Sequence, residues 1–359
     1  MDRRSFLTSA GAVGAASLAA PAVAAGAPVK WKLTSAFPAG QPFYSNGPGS
    51  LTDFADRVKA MSDGKMEIQV YHAGELVPAF EGFDAARQGI VEMNSWISYF
   101  GAGKVPAAQF FGAAPFGMST QGKNAWFYIG DGIKLWNEVY EPLGLVGMPI
   151  GTTGVQMTGW FNKEINQLSD MEGLRMRIPG LAGKGYSRIG VDVKVLPGGE
   201  IFPALERGVI DAAEWVGPAQ DKILGLNKAA KYYYTTGWHE PTTVTELAIN
   251  KAKWDGLAPD LQAVVTNAAV ACNLISHSWG EANNAAALKE FAANGTEIRT
   301  LPTEVVEALR VEMKAVYEEL GASDPLFKKV MDNYFAFKAE HDFWAAASEE
   351  VWHEQLRNG

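Results

Sequence analysis

Leu196-Pro197-Gly198-Gly199-Glu200-Ile201-Phe202-Pro203-Ala204-Leu205-Glu206-Arg207-Gly208-Val209-Ile210-Asp211 is the stretch from which the fold is read. It enters from an apolar strand over 193–196, breaks at Pro197-Gly198-Gly199, predicts a short helix over 200–207 and turns at Gly208 into a strand over 210–215. Upstream lie strands over 156–161 and 174–178 and a helix over 182–189. Strands alternating with helices at this spacing predict a sheet with helices packed on its faces.

The same grammar stands in the amino-terminal half. Residues 29–36 alternate as a strand, with Val29, Trp31 and Leu33 against Lys30, Lys32 and Thr34. Leu51, Phe54, Val58 and Met61 have helical spacing, 66–71 read as a second strand, 79–89 as a helix and 91–97 as a third strand. Two such modules predict an α/β protein of two lobes with a cleft between them, and the strand over 244–250 crosses back to the first. The division is residues 26–153 with about 243–285 for lobe I, and 154–242 with about 286–320 for lobe II. The last third is helical. A run over 259–292 stops at Asn294-Gly295, a strand follows over 297–301, and a helix over 302–320 stops at Gly321. Ser323-Asp324-Pro325 then opens a helix expected to reach about Leu356, within a segment 321–359. Phe327, Tyr334, Phe335, Phe343, Trp344 and Trp352 make it strongly aromatic, so it buries a stripe on its own lobes or on a second chain.

Composition bounds the function. The chain has 359 residues, 47% hydrophobic and 20% charged, enough for two domains with cores. A net charge of -9 without basic runs excludes nucleic acid and anionic membrane surfaces as partners. Arg3-Arg4-Ser5-Phe6-Leu7, an apolar stretch over 10–20 and the small-residue exit Pro21-Ala22-Val23-Ala24-Ala25 form a twin-arginine signal peptide over 1–25. Export to the periplasm by that route follows. Cys272 is the single cysteine, so no internal disulfide forms, and its apolar helical context makes it a buried thiol. The five histidines lack metal-ligand spacing, and no CxxC, HExxH, GxSxG or P-loop is present.

Four places in the second lobe hold polar groups that a core would refuse. Gln156 enters a strand. Arg175 and Arg177 share one face of the next, with Arg177 nearest its carboxyl end. Asp211-Ala212-Ala213-Glu214-Trp215 ends a third, and Gly237-Trp238-His239-Glu240-Pro241 sets a carboxylate in a loop between lobes. In open α/β sheets ligands meet the protein at the carboxyl ends of strands, and an arginine fork there suits a carboxylate.

The stretch over 196–211 resembles the signature segment of TRAP-transporter solute-binding proteins of the DctP type, and the likeness runs from Lys32-Leu33 through Arg177 to the terminal helices. Asp211-Ala212-Ala213-Glu214-Trp215-Val216-Gly217-Pro218, Tyr232-Tyr233-Tyr234 and the 237–241 loop resemble the branch that binds 2-oxo acids and lactate. The resemblance implies a two-lobed, hinge-linked fold like periplasmic binding proteins of class II, with a long carboxyl-terminal helix that the branch exchanges between two chains. It implies a small monocarboxylate ligand bridging Arg177 and a cation, with the cation surrounded by Gln156, Glu214, the main-chain oxygen of Trp215, and Glu240. Tyr99 is the first-lobe aromatic expected to close on the ligand. Small and large integral membrane subunits are the implied partners.

Charge counting supports the cation. Glu214, Glu240 and a substrate carboxylate against one arginine leave two negative charges to be neutralised in a closed cleft. Oxygen ligands select a hard cation, Na+ or Ca2+, and both types occur in the branch. The reading is a transport subunit that does no chemistry on its ligand. Its rivals are a sensor of the same fold that presents ligand to a receptor, and a secreted metal-dependent hydrolase or lyase using Glu214 and Glu240 as acid and base. Against the enzyme stands the lack of a nucleophile motif or a dedicated catalytic histidine.

Overall fold

The computed structural model describes residues 27–41 and 46–357. The signal peptide expected over 1–25 therefore lies outside the described residues. Two sheets organise the chain. The first takes β1 (Val29–Ser35), β2 (Met66–Tyr71), β3 (Met93–Trp96), β4 (Leu145–Thr152) and β10 (Val244–Asn250), in the order β2-β1-β3-β10-β4. The second takes β5 (Gly159–Phe161), β6 (Arg175–Arg177), β7 (Asp192–Lys194), β8 (Ala212–Ala213), β9 (Tyr232–Tyr234) and β11 (Glu297–Arg299), in the order β11-β9-β5-β8-β6-β7. This is the two-sheet α/β architecture that the alternating pattern predicts.

Local chemistry accounts for the elements. In α1 (Leu51–Met61) the side chain of Ser50 accepts from the Asp53 amide, capping the helix, and Leu51, Phe54 and Val58 turn inward. α2 (Gly82–Arg87) precedes β3, and α3 (Gln109–Gly112), α4 (Thr120–Tyr128) and α5 (Gly132–Tyr140) precede β4. α6 (Gly180–Arg188) joins β6 to β7. α7 (Gly198–Glu206) lies in the quoted stretch, and α8 (Pro218–Leu224) follows β8. After β10 come α9 (Lys251–Asp255), α10 (Pro259–Ala293), α11 (Thr303–Ser323), α12 (Pro325–Ala347) and α13 (Glu349–Gln355). Cys272 lies buried in α10, and burial pushes its thiol up to about 12, as an inert core residue requires.

The two sheets are joined where β4 ends and β10 begins. The Thr153 amide donates to the Thr243 carbonyl at 3.0 Å, and the Gln156 amide donates to the Glu240 carbonyl at 3.1 Å. The pairing of β4 with β10 thus continues out of the first sheet towards the second. α10 runs beside this crossing. Its Ser276 hydroxyl accepts from the Thr152 amide at 3.0 Å, and its Asn284 side-chain oxygen accepts from the Ala219 amide of α8 at 3.1 Å.

The carboxyl-terminal segment differs from the single helix expected. α11 continues past Gly321 to Ser323, and Asp324 caps α12 by accepting from the Leu326 and Phe327 amides. The helix then breaks at Ser348. The Ser348 hydroxyl donates to the Trp344 carbonyl and its amide to the Ala345 carbonyl, so the last turn closes tightly. The aromatic stripe divides. Phe327, Val330 and Tyr334 are core, packed with Phe110 and Trp126, whereas Phe343 and Trp344 are 81% and 66% exposed. Among the described residues no helix is long and apolar enough to cross a membrane.

Glu246, in the middle of β10, is fully buried. Its carboxyl accepts from Trp96 Nε1 at 2.6 Å and from the Tyr140 hydroxyl at 2.8 Å, and burial raises its pKa to about 8. The folded chain therefore holds a proton that the unfolded chain releases above about pH 4.5. The stabilisation is complete below that value and falls as pH rises through 8, by about 1.4 kcal/mol per pH unit for one proton. Glu246→Gln is expected to remove this share of the slope and to be the more stable protein at pH 8. Urea unfolding of both proteins between pH 5 and 8.5 measures it, and parallel slopes would refute the assignment.

Candidate functional site

β6 and β8 are parallel neighbours, so the ends of both strands lie side by side. The Glu214 amide donates to the Arg177 carbonyl at 3.1 Å, which fixes the two side chains next to each other. Arg177 Nη1 donates to Glu214 Oε2 at 2.8 Å and to the Glu214 carbonyl at 2.7 Å, and its Nε donates to the Leu196 carbonyl at 3.2 Å. The guanidinium carbon lies 5.6 Å from the Trp215 ring centroid. Arg175, two residues earlier, is committed elsewhere. Its fork pairs with both oxygens of Asp211 at 2.8 and 2.9 Å in a half-exposed position.

Glu240 comes to the same place through the crossing. Its carbonyl takes the Gln156 amide, and its carboxylate accepts from the Thr243 hydroxyl three residues on. Gln156, Arg177, Glu214, Trp215 and Glu240, scattered over 85 positions of sequence, are all buried here. Tyr99 arrives from the other sheet, in a 3-10 turn after β3, and its hydroxyl bonds the Glu240 carboxylate. Its Cβ would be 3.0 Å from a Cβ placed on Gly180, the first residue of α6. The structure thus gathers all six residues expected from the sequence.

Electrostatics mark the cluster as unfinished. Burial holds the Glu214 carboxyl well above its ordinary range, and the neighbouring Glu240 pushes it further. Burial likewise raises Glu240 to about 7, against the opposing pull of Thr243, Arg177, Tyr99 and Lys123. Glu214 Oε1 and Gln156 Oε1 are buried with no hydrogen-bond partner. Buried acceptors left unsatisfied cost about 1–3 kcal/mol each, so electrophilic company is required. Oxygen donors from Gln156, Glu214 and Glu240 fit a hard cation, with the main-chain oxygen of Trp215 adjacent in sequence.

Two participants were missed. Lys123 of α4 is buried, with its ammonium 4.9 Å from the Tyr334 ring centroid and hydrogen-bonded to the Phe110 carbonyl. Burial lowers it to about 7, and Glu240 is the charge that opposes this. The count of one positive group therefore becomes two, the second only partly charged near neutrality. A lysine on a short helix reads as a surface residue, and nothing in its spacing signals burial. The spacing of the five histidines marks none of them, His239 included, as a ligand. Yet Glu214, His239 and Glu240 each offer a ligand atom within 4.8 Å of the others, and both His239 ring nitrogens are buried without partners. Burial depresses His239 to about 3, so the ring is neutral.

A two-sheet protein with an arginine and carboxylates buried where its chain crosses between sheets is built to enclose a small anion. Residues 45–324 match the DctP family, bacterial extracellular solute-binding protein, family 7, and the chain belongs to that family. It is 40% identical over 328 residues to the monocarboxylate 2-oxoacid-binding periplasmic protein of a Nostoc species, covering 91% of this chain and 89% of the relative. Two solved TRAP periplasmic solute-binding proteins superpose with TM-scores of 0.88 at 34% identity. That from Colwellia psychrerythraea, with bound calcium and pyruvate, matches 92% of this chain and 100% of its own. That from Pseudoalteromonas atlantica, with bound sodium and pyruvate, matches 92% and 99%. A third, from Bordetella bronchiseptica, is a mixed-occupancy dimer with copurified calcium and picolinate, at the same score and identity over 92% and 97%. Membership makes this chain a TRAP solute-binding protein of the extracytoplasmic compartment.

Gly180 tests the contact between sheets. Its φ of +68° suits glycine, and an added Cβ would press on Tyr99. Gly180→Ala is expected to destabilise the protein by about 1–2 kcal/mol from backbone strain alone, read by urea unfolding. Unchanged stability would mean that this turn relaxes freely away from Tyr99.

Proposed function

We propose that this protein captures a small 2-oxo or 2-hydroxy monocarboxylate together with Na+ or Ca2+, and delivers it to the small and large integral membrane subunits of a TRAP transporter. The observation that carries this reading is the buried pairing of Arg177 with Glu214 beside Glu240, with Gln156 Oε1 and Glu214 Oε1 left unsatisfied. Similarity to the 2-oxoacid-binding relative and to the pyruvate-bound structures supports the ligand class. In this reading Arg177 is the carboxylate anchor, and Gln156, Glu214, the Trp215 carbonyl and Glu240 hold the cation. Gln156 and Trp215 also face the substrate. A bound cation would supply the positive charge that lets both carboxylates stay ionised and would polarise the substrate oxygens. Tyr99 closes the first lobe onto Glu240. Lobe I comprises residues 26–153 with about 243–285 and lobe II residues 154–242 with about 286–320. Ligand stabilises their closed arrangement by hinge motion, and no bond of the ligand is made or broken.

Arg177→Lys keeps the charge and loses the fork. Affinity for pyruvate or lactate is expected to fall roughly ten- to hundredfold, the range for a charge-assisted bond. Calorimetry reads it, and near-native affinity would place the anchor elsewhere. Exhaustive chelation in sodium-free buffer is expected to abolish or strongly weaken binding. Unchanged affinity under both treatments would mean that a shared proton, not a cation, neutralises the site.

The remaining parts of the proposal are export by the twin-arginine route and a homodimer through the carboxyl-terminal segment. The exposed apolar side chains on either side of the break at Ser348, Phe343, Trp344, Trp352 and Leu356, support the dimer. Because Phe327, Val330 and Tyr334 are core, the informative truncation removes residues 343–359 and leaves them in place. The full mature chain is expected to scatter light as a dimer and the truncated one as a monomer. A monomeric mass for the full chain at micromolar concentration would end the dimer proposal.

A further inference from the structure

His239 is fully buried next to Glu240 in sequence, and neither ring nitrogen has a hydrogen-bond partner. One of its nitrogens lies within 4.8 Å of carboxylate oxygens on both Glu214 and Glu240. An imidazole N–H at hydrogen-bond distance would have bonded one of those oxygens, and no such bond is made. An electrophile between the nitrogen and the oxygens would satisfy all three at once. The ring is held from behind. Trp238 stacks edge-on to it with centroids 5.9 Å apart, and the Trp238 indole donates to the Tyr186 hydroxyl at 3.2 Å. The loop is fastened by the Phe116 amide, which donates to the Trp238 carbonyl at 2.7 Å.

We propose that the Glu214–His239–Glu240 cluster also binds a borderline divalent transition cation, Zn2+ as the reference, with a His239 nitrogen as a direct ligand. The inference rests on the cation reading of this site and extends it to a second class of ion. Oxygen-only sites suit Na+ and Ca2+, whereas adding an imidazole to two carboxylates shifts preference towards Zn2+, Co2+ and Ni2+. Zn–N and Zn–O bonds are about 2.0–2.2 Å and Ca–O bonds about 2.3–2.6 Å, so a nitrogen and two oxygens within 4.8 Å of one another can share either ion. The protein would then hold a hard cation in the carboxylate-binding arrangement and exchange it for Zn2+ when that ion is present.

The test uses the mature protein stripped by chelation, with ZnCl2, CoCl2 and CaCl2 titrated by calorimetry and by tryptophan fluorescence, with and without pyruvate. Wild type is expected to bind Zn2+ roughly tenfold or more tighter than Ca2+. His239→Asn is expected to lose about tenfold or more in Zn2+ affinity while Ca2+ affinity is retained, and to change the absorption band of bound Co2+. Glu240→Gln should lose both ions. Thermal unfolding of each variant establishes that it is folded, and His239→Gln replaces any variant that is not. Equal Zn2+ affinity in wild type and His239→Asn overturns the proposal, as does Zn2+ binding that survives Glu240→Gln and so belongs to a surface histidine. If Ca2+ or Na+ supports pyruvate binding and Zn2+ does not bind the site, this inference fails alone. If none of the ions binds, the cation reading fails with it.

Discussion

Two carboxylates, Glu214 and Glu240, are held out of water next to each other, and the surrounding structure is organised by the need to neutralise them. Such charges in a protein interior cost several kcal/mol each unless partnered. The chain meets that cost piecemeal. Arg177 takes one oxygen of Glu214, the Thr243 hydroxyl takes one of Glu240, and Tyr99 and Lys123 approach Glu240 from elements of the other sheet. These partners leave Glu214 Oε1 and Gln156 Oε1 buried without a hydrogen bond. Glu246 gives the contrast within one molecule. It is as deeply buried, has no cationic neighbour, and is met by Trp96 and Tyr140 as a protonated acid. A core can store a carboxyl that way, but a site that must attract a cation cannot.

Placement at the crossing gives the cluster its mechanical meaning. The paired stretches that leave β4 and enter β10 carry Gln156 and Glu240 on their way to the second sheet, while Arg177 and Glu214 come from strands of that sheet. Groups from both sheets converge, so any separation of the sheets would pull Tyr99 and Lys123 from Glu240. Under the proposed hinge reading, charge neutralisation and closure would be the same event. The contact of Tyr99 with Gly180 adds a steric component, since the turn into α6 brings its backbone against the ring. Transport by a family member of this kind needs such coupling, because ligand must shift an equilibrium between arrangements by its differential contacts.

The carboxyl-terminal helices show how one stripe can serve two surfaces. Phe327, Val330 and Tyr334 complete the core around Phe110 and Trp126, and the Tyr334 hydroxyl accepts from the Met118 amide at 2.9 Å. Phe343 and Trp344 before the break at Ser348, and Trp352 after it, are exposed. Helical periodicity reports that a face is apolar and is silent about what covers it. The same silence explains why the break at Ser348 was not anticipated, because a serine bonding back to a carbonyl four residues earlier is also common inside continuous helices.

By itself the sequence determined the elements whose signals are local. The helix over Leu51–Met61 and the strands over Met66–Tyr71 and Val244–Asn250 stand where periodicity put them, because side-chain spacing and flanking turns decide such elements. The short strands were overextended. β8 keeps two residues of the 210–215 run and β5 three of 156–161, because sheet pairing rather than propensity ends a strand. Strand-end position and family likeness made Arg177, Glu214, Glu240, Gln156, Trp215 and Tyr99 legible as candidates, and their convergence came from the fold. Lys123 and His239 were illegible. A lysine on α4 and a histidine beside a tryptophan carry no sequence mark of burial. Their environment is built by residues more than a hundred positions away, Glu240 for Lys123 and Phe116 for the His239 loop. Local propensity is written in neighbouring residues, whereas desolvation and charge proximity depend on which distant segments meet, and only the tertiary structure decides that.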